Sequence, residues 1–355
     1  MINVWNNAIL DDEIRKVQWA MQNRKIMEGS VLLEFEEQLK DILKMRYAIG
    51  VASGSAALAL ALMGIGLKPD DEVIVPDITF IATANAPYML GAKVILAPTL
   101  KNVPLIDIDA LDDLITDRTK AIIPVSLNGR LVASKELVER YEKRGIYIIE
   151  DACQAFMSGD ENGKAGTNAH IGCFSFGITK TLTTAKGGLV VTNDEELFRK
   201  MKLIKVQGMD SVFDGDYLCP GFNFKLPDIL AAIGLVQLNR LHEKMNHMRQ
   251  IDCMYQEGLR DIEGIDFIPR GRELLWMSDI LCKNRVKVQT LLKEHNIICR
   301  PLYKPLHYAA FLECGGEFRN AVELQNNILY LPSGPDQDYD NVEKTIHVLK
   351  NKKLV

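Results

Sequence analysis

Leu32, Phe35, Leu39 and Ile42 recur at three- and four-residue intervals, the spacing of one helix face. Short apolar runs then follow one another at 72–75, 93–96, 121–125, 146–149, 172–176 and 189–192, with helical patterns between most of them. Runs of that length, rich in Val and Ile, predict buried strands, and their alternation with helices predicts an α/β fold with a doubly wound parallel sheet. From Pro227 a helical stretch runs past Arg249, with Ile229, Ile233 and Val236 on one face and Leu241, Met245 and Met248 continuing it. Pro227 suits a first helical turn. We expect the domain change inside this helix, giving a large domain over 1–245 and a smaller α+β domain over 246–355. No proline- or glycine-rich linker marks that boundary.

Residues 47–66 read as a short strand, a tight Ser53-Gly54-Ser55 turn and an alanine- and leucine-rich helix. A helix start offers unpaired N–H groups and the positive end of the dipole, so it binds phosphate readily. Gly54 lets the backbone approach an anion and Ser55 adds a hydroxyl; an ordinary serine N-cap satisfies the same pattern. A dinucleotide site is a poor alternative, because Gly64-Ile65-Gly66 lacks a third glycine and follows a helix. Further on, Glu150 and Asp151 close the run 146–149, and ligands of open α/β sheets bind beyond the carboxyl ends of strands. Asp151 is the candidate to keep the ring nitrogen of pyridoxal phosphate (PLP) protonated, with Gln154 on the ring hydroxyl; a helix cap is the bland reading of the same carboxylates. Ser175 and Lys180, five residues apart, complete what a covalently held PLP needs: a phosphate hydroxyl and a Schiff-base amine.

Composition narrows the function. The 355 residues are 47% hydrophobic and 25% charged, ordinary for a soluble globular protein. A net charge of −5 argues against a general nucleic-acid binder, and no apolar stretch suits a membrane span. Seven cysteines without zinc spacing read as reduced thiols, and the start has no signal-peptide pattern; both point to the cytoplasm. Cys153 reads as a small core residue. The six histidines form no metal-ligand pair at helical spacing, so no metal is expected.

In order, the phosphate turn, TFIATANA, EDACQA, FSFGITK and GFNFKLPDILAAIGLVQL resemble the DegT/StrS group of sugar-nucleotide aminotransferases. The resemblance runs from about Gly29 to Leu331. It implies the fold-type I PLP architecture, with a mostly parallel mixed sheet between helices and a smaller C-terminal domain. It further implies Lys180 as Schiff-base lysine, Ser175 on the phosphate, Asp151 on the ring nitrogen and Phe80 stacked on the ring. Asn223 falls where the family sends an asparagine to the partner's phosphate in a homodimer. The run Arg300-Pro301-Leu302-Tyr303-Lys304-Pro305-Leu306-His307 is similar to one that approaches the substrate, and its cations suit a phosphate or diphosphate. Phe80 also reads as a core aromatic, Asn223 as a turn residue, and Lys304 and His307 as part of a solvated loop.

The chain departs from the family at several points. Lys186 precedes Gly187-Gly188 where an acidic residue is usual, which makes it a second lysine near the cofactor and a candidate for an anionic substrate group. Ser126 replaces a common histidine, Ala97-Pro98 stands where relatives have aspartate, and 266–283 is shorter than usual. The expected reaction is transfer of an amino group from glutamate to an anionic keto acceptor, a nucleotide-diphosphate 4-keto-6-deoxy sugar. A small phosphorylated ketone is the alternative acceptor. A sugar dehydratase of the same family would carry histidine in place of Lys180, and a non-catalytic regulator would not need Lys180, Asp151 and Ser175 together.

Overall fold

The computed structural model describes residues 1–211, 215–313 and 315–351. Along the chain, α1 (Asp11–Gln22) and α2 (Ser30–Leu43) precede β1 (Tyr47–Val51) and α3 (Gly54–Gly64). Then come β2 (Glu72–Pro76), α4 (Ala82–Met89), β3 (Lys93–Ala97), β4 (Thr119–Ile122), α5 (Ser134–Tyr141) and β5 (Tyr147–Asp151). A small hairpin, β6 (Gly159–Asp160) and β7 (Gly163–Lys164), leads to β8 (Ile171–Ser175), β9 (Gly188–Thr192) and α6 (Glu195–Lys205). The remainder is α7 (Asp228–Asn239), α8 (Leu241–Leu259), β10 (Ile265–Asp266), β11 (Asp279–Cys282), α9 (Arg285–Glu294), β12 (Arg300–Pro301), α10 (Arg319–Asn327), β13 (Ile328–Tyr330) and α11 (Tyr339–Lys350).

The large sheet has the order β1-β9-β8-β5-β4-β2-β3. All its strands run one way except β9, which is antiparallel to both β1 and β8. This is the mostly parallel mixed sheet that the family resemblance implies, with β9 as the reversed strand. The cause is the connection: residues 176–187 contain no helix, and a parallel return needs a crossover that only a longer, usually helical, segment supplies. α3 is buried almost all round, with Ala57, Leu58, Leu60, Ala61 and Leu62 enclosed, so its uniformly apolar sequence fits a helix packed between the sheet and α6. On α2 the buried stripe is Val31, Leu32, Phe35, Leu39 and Leu43, while Ile42 packs at its edge.

The helical stretch from Pro227 is not continuous. It breaks at Arg240 (φ −100°, ψ 3°) into α7 and α8. The break turns Arg240 onto Asp336 at 2.7 Å and lets the buried Lys244 amine reach Gln237 and Asn7. The second sheet, β10-β11-β13-β12, is antiparallel throughout. Its core includes Ile251, Tyr255 and Leu259 of α8 and, from the chain start, Ile2. The first residues form a strap: Ile2 pairs with Ile297, Trp5 with Ser333, and the Ala8 N–H donates to Asp336 at 2.8 Å.

Candidate active site

Ser53 caps α3 in extended conformation, its hydroxyl accepting from the Ala56 N–H at 3.1 Å. Among the described residues no group accepts from the Gly54 and Ser55 N–H, so two amides at the positive end of the helix dipole are left without an acceptor. Gly54 is tightly approached: a Cβ there would lie 2.8 Å from Cys153 Sγ and 2.9 Å from Ser175 Cβ. Three segments distant in sequence therefore meet at one glycine. Ser175, the last residue of β8, accepts weakly from the Gly177 N–H at 3.4 Å, and Ser55 is exposed. This is a cradle that can hold an anion.

Successive residues of a strand face opposite sides of the sheet, so Glu150 and Asp151 cannot share a site. Asp151, 5% exposed, accepts from Thr83 Oγ1 at 2.8 Å and from the Cys153 N–H at 3.1 Å. The Thr79 and Thr83 hydroxyls lie 2.9 Å apart behind it. Glu150 instead accepts from Ser126 and Ser134, each at 2.6 Å, and burial pushes its pKa up. Neither carboxylate caps a helix. Ser126 is thus committed to Glu150. A cleft of about 420 Å3 on that side is lined by Glu150, Ser134 and Lys164 and contains neither Lys180 nor Asp151.

Lys180 is half-buried in the turn after β8, its Nζ 4.1 Å from the Trp276 ring centroid. Burial lowers its pKa below the usual lysine value; Cys153 and Asp151 oppose that shift and Arg300 adds to it. The turn is braced from two sides, by Asn7 Nδ2 on the Lys180 carbonyl (2.7 Å) and by the Trp276 indole N–H on the Thr179 carbonyl (2.6 Å).

Gln154 Oε1 accepts from the Asn128 N–H at 3.0 Å, and its Nε2 donates to Tyr303 Oη at 3.3 Å. The Arg300 guanidinium lies 4.6 Å from the Tyr303 ring centroid, and Phe80 meets the same ring edge-on at 5.7 Å. Phe80 is 48% exposed, so it is no core aromatic. His307 is not in a solvated loop: its N–H donates to Asp77 Oδ1 (2.8 Å), its Nδ1 lies 2.7 Å from Asp77 Oδ2, and its ring stacks on Phe318. Lys304 is exposed and forms no ion pair among the described residues. Lys186 is also exposed, and its carbonyl accepts from Thr184 Oγ1. Asn223 is exposed on a segment that pairs with Val206, and no hydrogen bond joins its side chain to the other candidates.

Sequence reasoning missed Trp276, Asn128, Thr83 and Asp77. Thr79 and Thr83 carried a signal, being four residues apart at a helix start, and Asp77 directly follows a strand. Trp276 and Asn128 lie in no motif.

Residues 7–350 match the model of the DegT/DnrJ/EryC1/StrS aminotransferase family. GDP-perosamine synthase of Caulobacter vibrioides is 34% identical over 288 residues, 79% of this chain and 78% of that protein. The structure of Helicobacter pylori PseC, an aminotransferase involved in the biosynthesis of pseudoaminic acid, superposes with a TM-score of 0.91 at 26% identity, covering 99% of this chain and 98% of that one. An E coli GDP-4-keto-6-deoxy-D-mannose-3-dehydratase with bound hydrated PLP shares the fold, with a TM-score of 0.91 at 24% identity over 98% of this chain and 99% of that one.

Proposed function

The chain belongs to the DegT/DnrJ/EryC1/StrS family of PLP-dependent aminotransferases with the fold-type I architecture, and on that premise we propose that it moves an amino group from glutamate to a nucleotide-diphosphate 4-keto-6-deoxy sugar. The observation that carries the assignment of residues is the convergence at Gly54. It brings Ser175 and the EDACQA segment to the bare amides of α3.

The Gly54 and Ser55 N–H groups and the Ser175 hydroxyl would hold the PLP phosphate, and Phe80 would cover one face of the ring. Asp151, fixed by Thr83 and the Cys153 N–H, would keep the ring nitrogen protonated, with Gln154 on the ring hydroxyl. When bound, PLP supplies the electron sink for a carbanion at the donor carbon. Lys180 Nζ, its pKa lowered by burial, would anchor the cofactor and then take and return the proton at that carbon. Arg300, Tyr303, Lys304, His307 and Lys186 are the candidates for the acceptor, with His307 oriented by Asp77. The chain would divide near Met245 into a PLP-binding part and a smaller part, and would act as a homodimer in which Asn223 completes the partner's phosphate site.

Against a dehydratase stands Lys180, at the position where the resemblance puts histidine in those enzymes. Against a non-catalytic regulator stands the retention of Lys180 together with Asp151 and Ser175. A small phosphorylated ketone remains the second acceptor, because Lys304 and Lys186 are exposed cations that form no ion pair among the described residues and would suit a lone phosphate. A panel of nucleotide keto sugars and simple keto phosphates, each assayed with glutamate, tests the reading. Turnover of the keto phosphates alone would overturn the nucleotide sugar, and no amino transfer to any acceptor would overturn the proposed substrate class.

A further inference from the structure

Asn128 sits in the loop after β4 with φ 54° and ψ 28°, a left-handed conformation that asparagine tolerates better than most residues. It is fully buried, and every polar group it has is paired. Its N–H holds Gln154 Oε1 at 3.0 Å. Its carbonyl accepts from the Trp276 N–H at 3.1 Å. Its side chain accepts from the Met277 N–H at 2.8 Å and donates to the Met277 carbonyl at 2.9 Å and to Asp279 Oδ2 at 2.8 Å. Asp279, the first residue of β11, also receives the Arg130 guanidinium in a two-pronged bond, at 2.7 and 2.9 Å. Both partners are 1–2% exposed. Arg270 stands 3.8 Å from the same carboxylate and 3.1 Å from Asp252.

A buried ion pair is a poor source of net stability, since desolvation of the charges offsets most of their attraction, but it fixes geometry strictly. The geometry fixed here has two ends. One is the Gln154 carboxamide: with Oε1 tied to the Asn128 N–H, the donor nitrogen is the edge left to face Tyr303. The other is Trp276, whose indole lies under Lys180 Nζ and holds the Thr179 carbonyl. We propose that Asn128, Arg130 and Asp279 are positioning residues of the PLP site, a buried clamp through which the segment leading into β11 sets the Gln154 amide and the Trp276 plane beside the cofactor. This rests on the PLP reading above and adds to it that the second sheet helps to build the cofactor's surroundings.

The sign of its effect follows from hydrogen bonding. A donor to the ring hydroxyl oxygen favours the ionised form of the ring, so a Gln154 amide free to turn raises the pH at which the cofactor's visible absorbance changes. The test loads the full-length protein with PLP, titrates that absorbance with pH, and measures PLP affinity on the apoprotein. Asn128→Gly tolerates the same φ but deletes the three side-chain bonds that hold the loop, and with it the N–H on Gln154, in place. Asp279→Asn keeps the shape and removes the charge. Val288→Ala, in the core of the second sheet and outside the clamp, controls for lost stability alone. Asn128→Gly and Asp279→Asn should each raise the absorbance midpoint by about half a unit to one unit and weaken PLP binding about tenfold, the loss of roughly one hydrogen bond. Gln154→Ala should move the midpoint the same way, and Val288→Ala should lower Tm without moving it. If Asn128→Gly does not fold, Asp279→Asn decides on its own. Variants that lose Tm like Val288→Ala but keep the wild-type midpoint and affinity overturn the clamp. Failure of the unmodified protein to take up PLP overturns the functional reading and the clamp together.

Discussion

Gly54→Ala isolates the cradle from the rest of the site. The added methyl would lie 2.8 Å from Cys153 Sγ, 2.9 Å from Ser175 Cβ and 3.3 Å from Ser175 Oγ. Two of these atoms belong to the last residue of β8 and the third to the turn after β5, so relief requires α3 to shift by a few tenths of an ångström or Ser175 and Cys153 to turn away. Overpacking of this kind costs about 1–3 kcal/mol. Alanine's advantage over glycine in a helix, under about 1 kcal/mol, offsets part of it. A net loss of about 1–2 kcal/mol in urea denaturation is expected. PLP affinity of the apoprotein should fall by about tenfold or more, because the shift moves the Gly54 and Ser55 amides and the Ser175 hydroxyl relative to one another. Adding Cys153→Ala removes the sulfur contact but not the Ser175 Cβ contact. The double variant should therefore regain part of the loss, with a coupling of about 1 kcal/mol between the two positions. Wild-type PLP affinity in Gly54→Ala, with no coupling to Cys153, would refute the convergence of these segments on one anion.

Lys180→Ala should abolish any borohydride-stable PLP adduct while the protein stays folded, and an adduct mapped by mass spectrometry to Lys186 would show the wrong lysine had been chosen. Asp151→Asn keeps its shape and its acceptor for the Cys153 N–H, so PLP should stay bound while amino transfer slows about 100- to 1,000-fold; near-normal turnover would remove Asp151 from its role. In the apoprotein, the pH midpoint for labelling of the Lys180 amine should fall below 10.5, since burial favours the neutral form; a midpoint at or above that value would contradict the environment described. Mixing Lys180→Ala with Asn223→Ala subunits should restore activity, because one site of each mixed dimer would be whole; no recovery after verified exchange, with Asn223→Ala itself damaging, would exclude a shared site.

Local features were the most legible in the sequence. The β1 turn and α3 are specified by contiguous residues, and the cap, the dipole and the glycine approach all follow from that stretch. Strand alternation required that one of Glu150 and Asp151 leave the site, but which one depends on Ser126 and Ser134, whose hydroxyls arrive from outside the strand. The reversal of β9 was readable in principle, since the twelve residues of 176–187 carry no helical pattern. The break at Arg240 was not, because the partner it brings to Arg240 is Asp336, a residue remote in sequence. The same holds for His307, whose partner Asp77 lies 230 positions away, and for Trp276, which gains its place from Asn128 and Thr179. Pairings of that range leave no periodicity to detect.

The strap formed by the first residues sets an order of events during synthesis. Asn6 bonds to the carbonyl of Asp336, 330 positions later, and Ala8 to its carboxylate, while Asn7 in between grips the Lys180 carbonyl. Contacts of such separation form only after the intervening chain exists, and they make assembly slow. A nascent chain that has already folded its large sheet thus still lacks one brace of the lysine turn until residue 336 has emerged. Residues 6–8 are therefore among the last of this chain to find their places, and the turn that carries Lys180 is fully braced only once the segment beyond β13 is present.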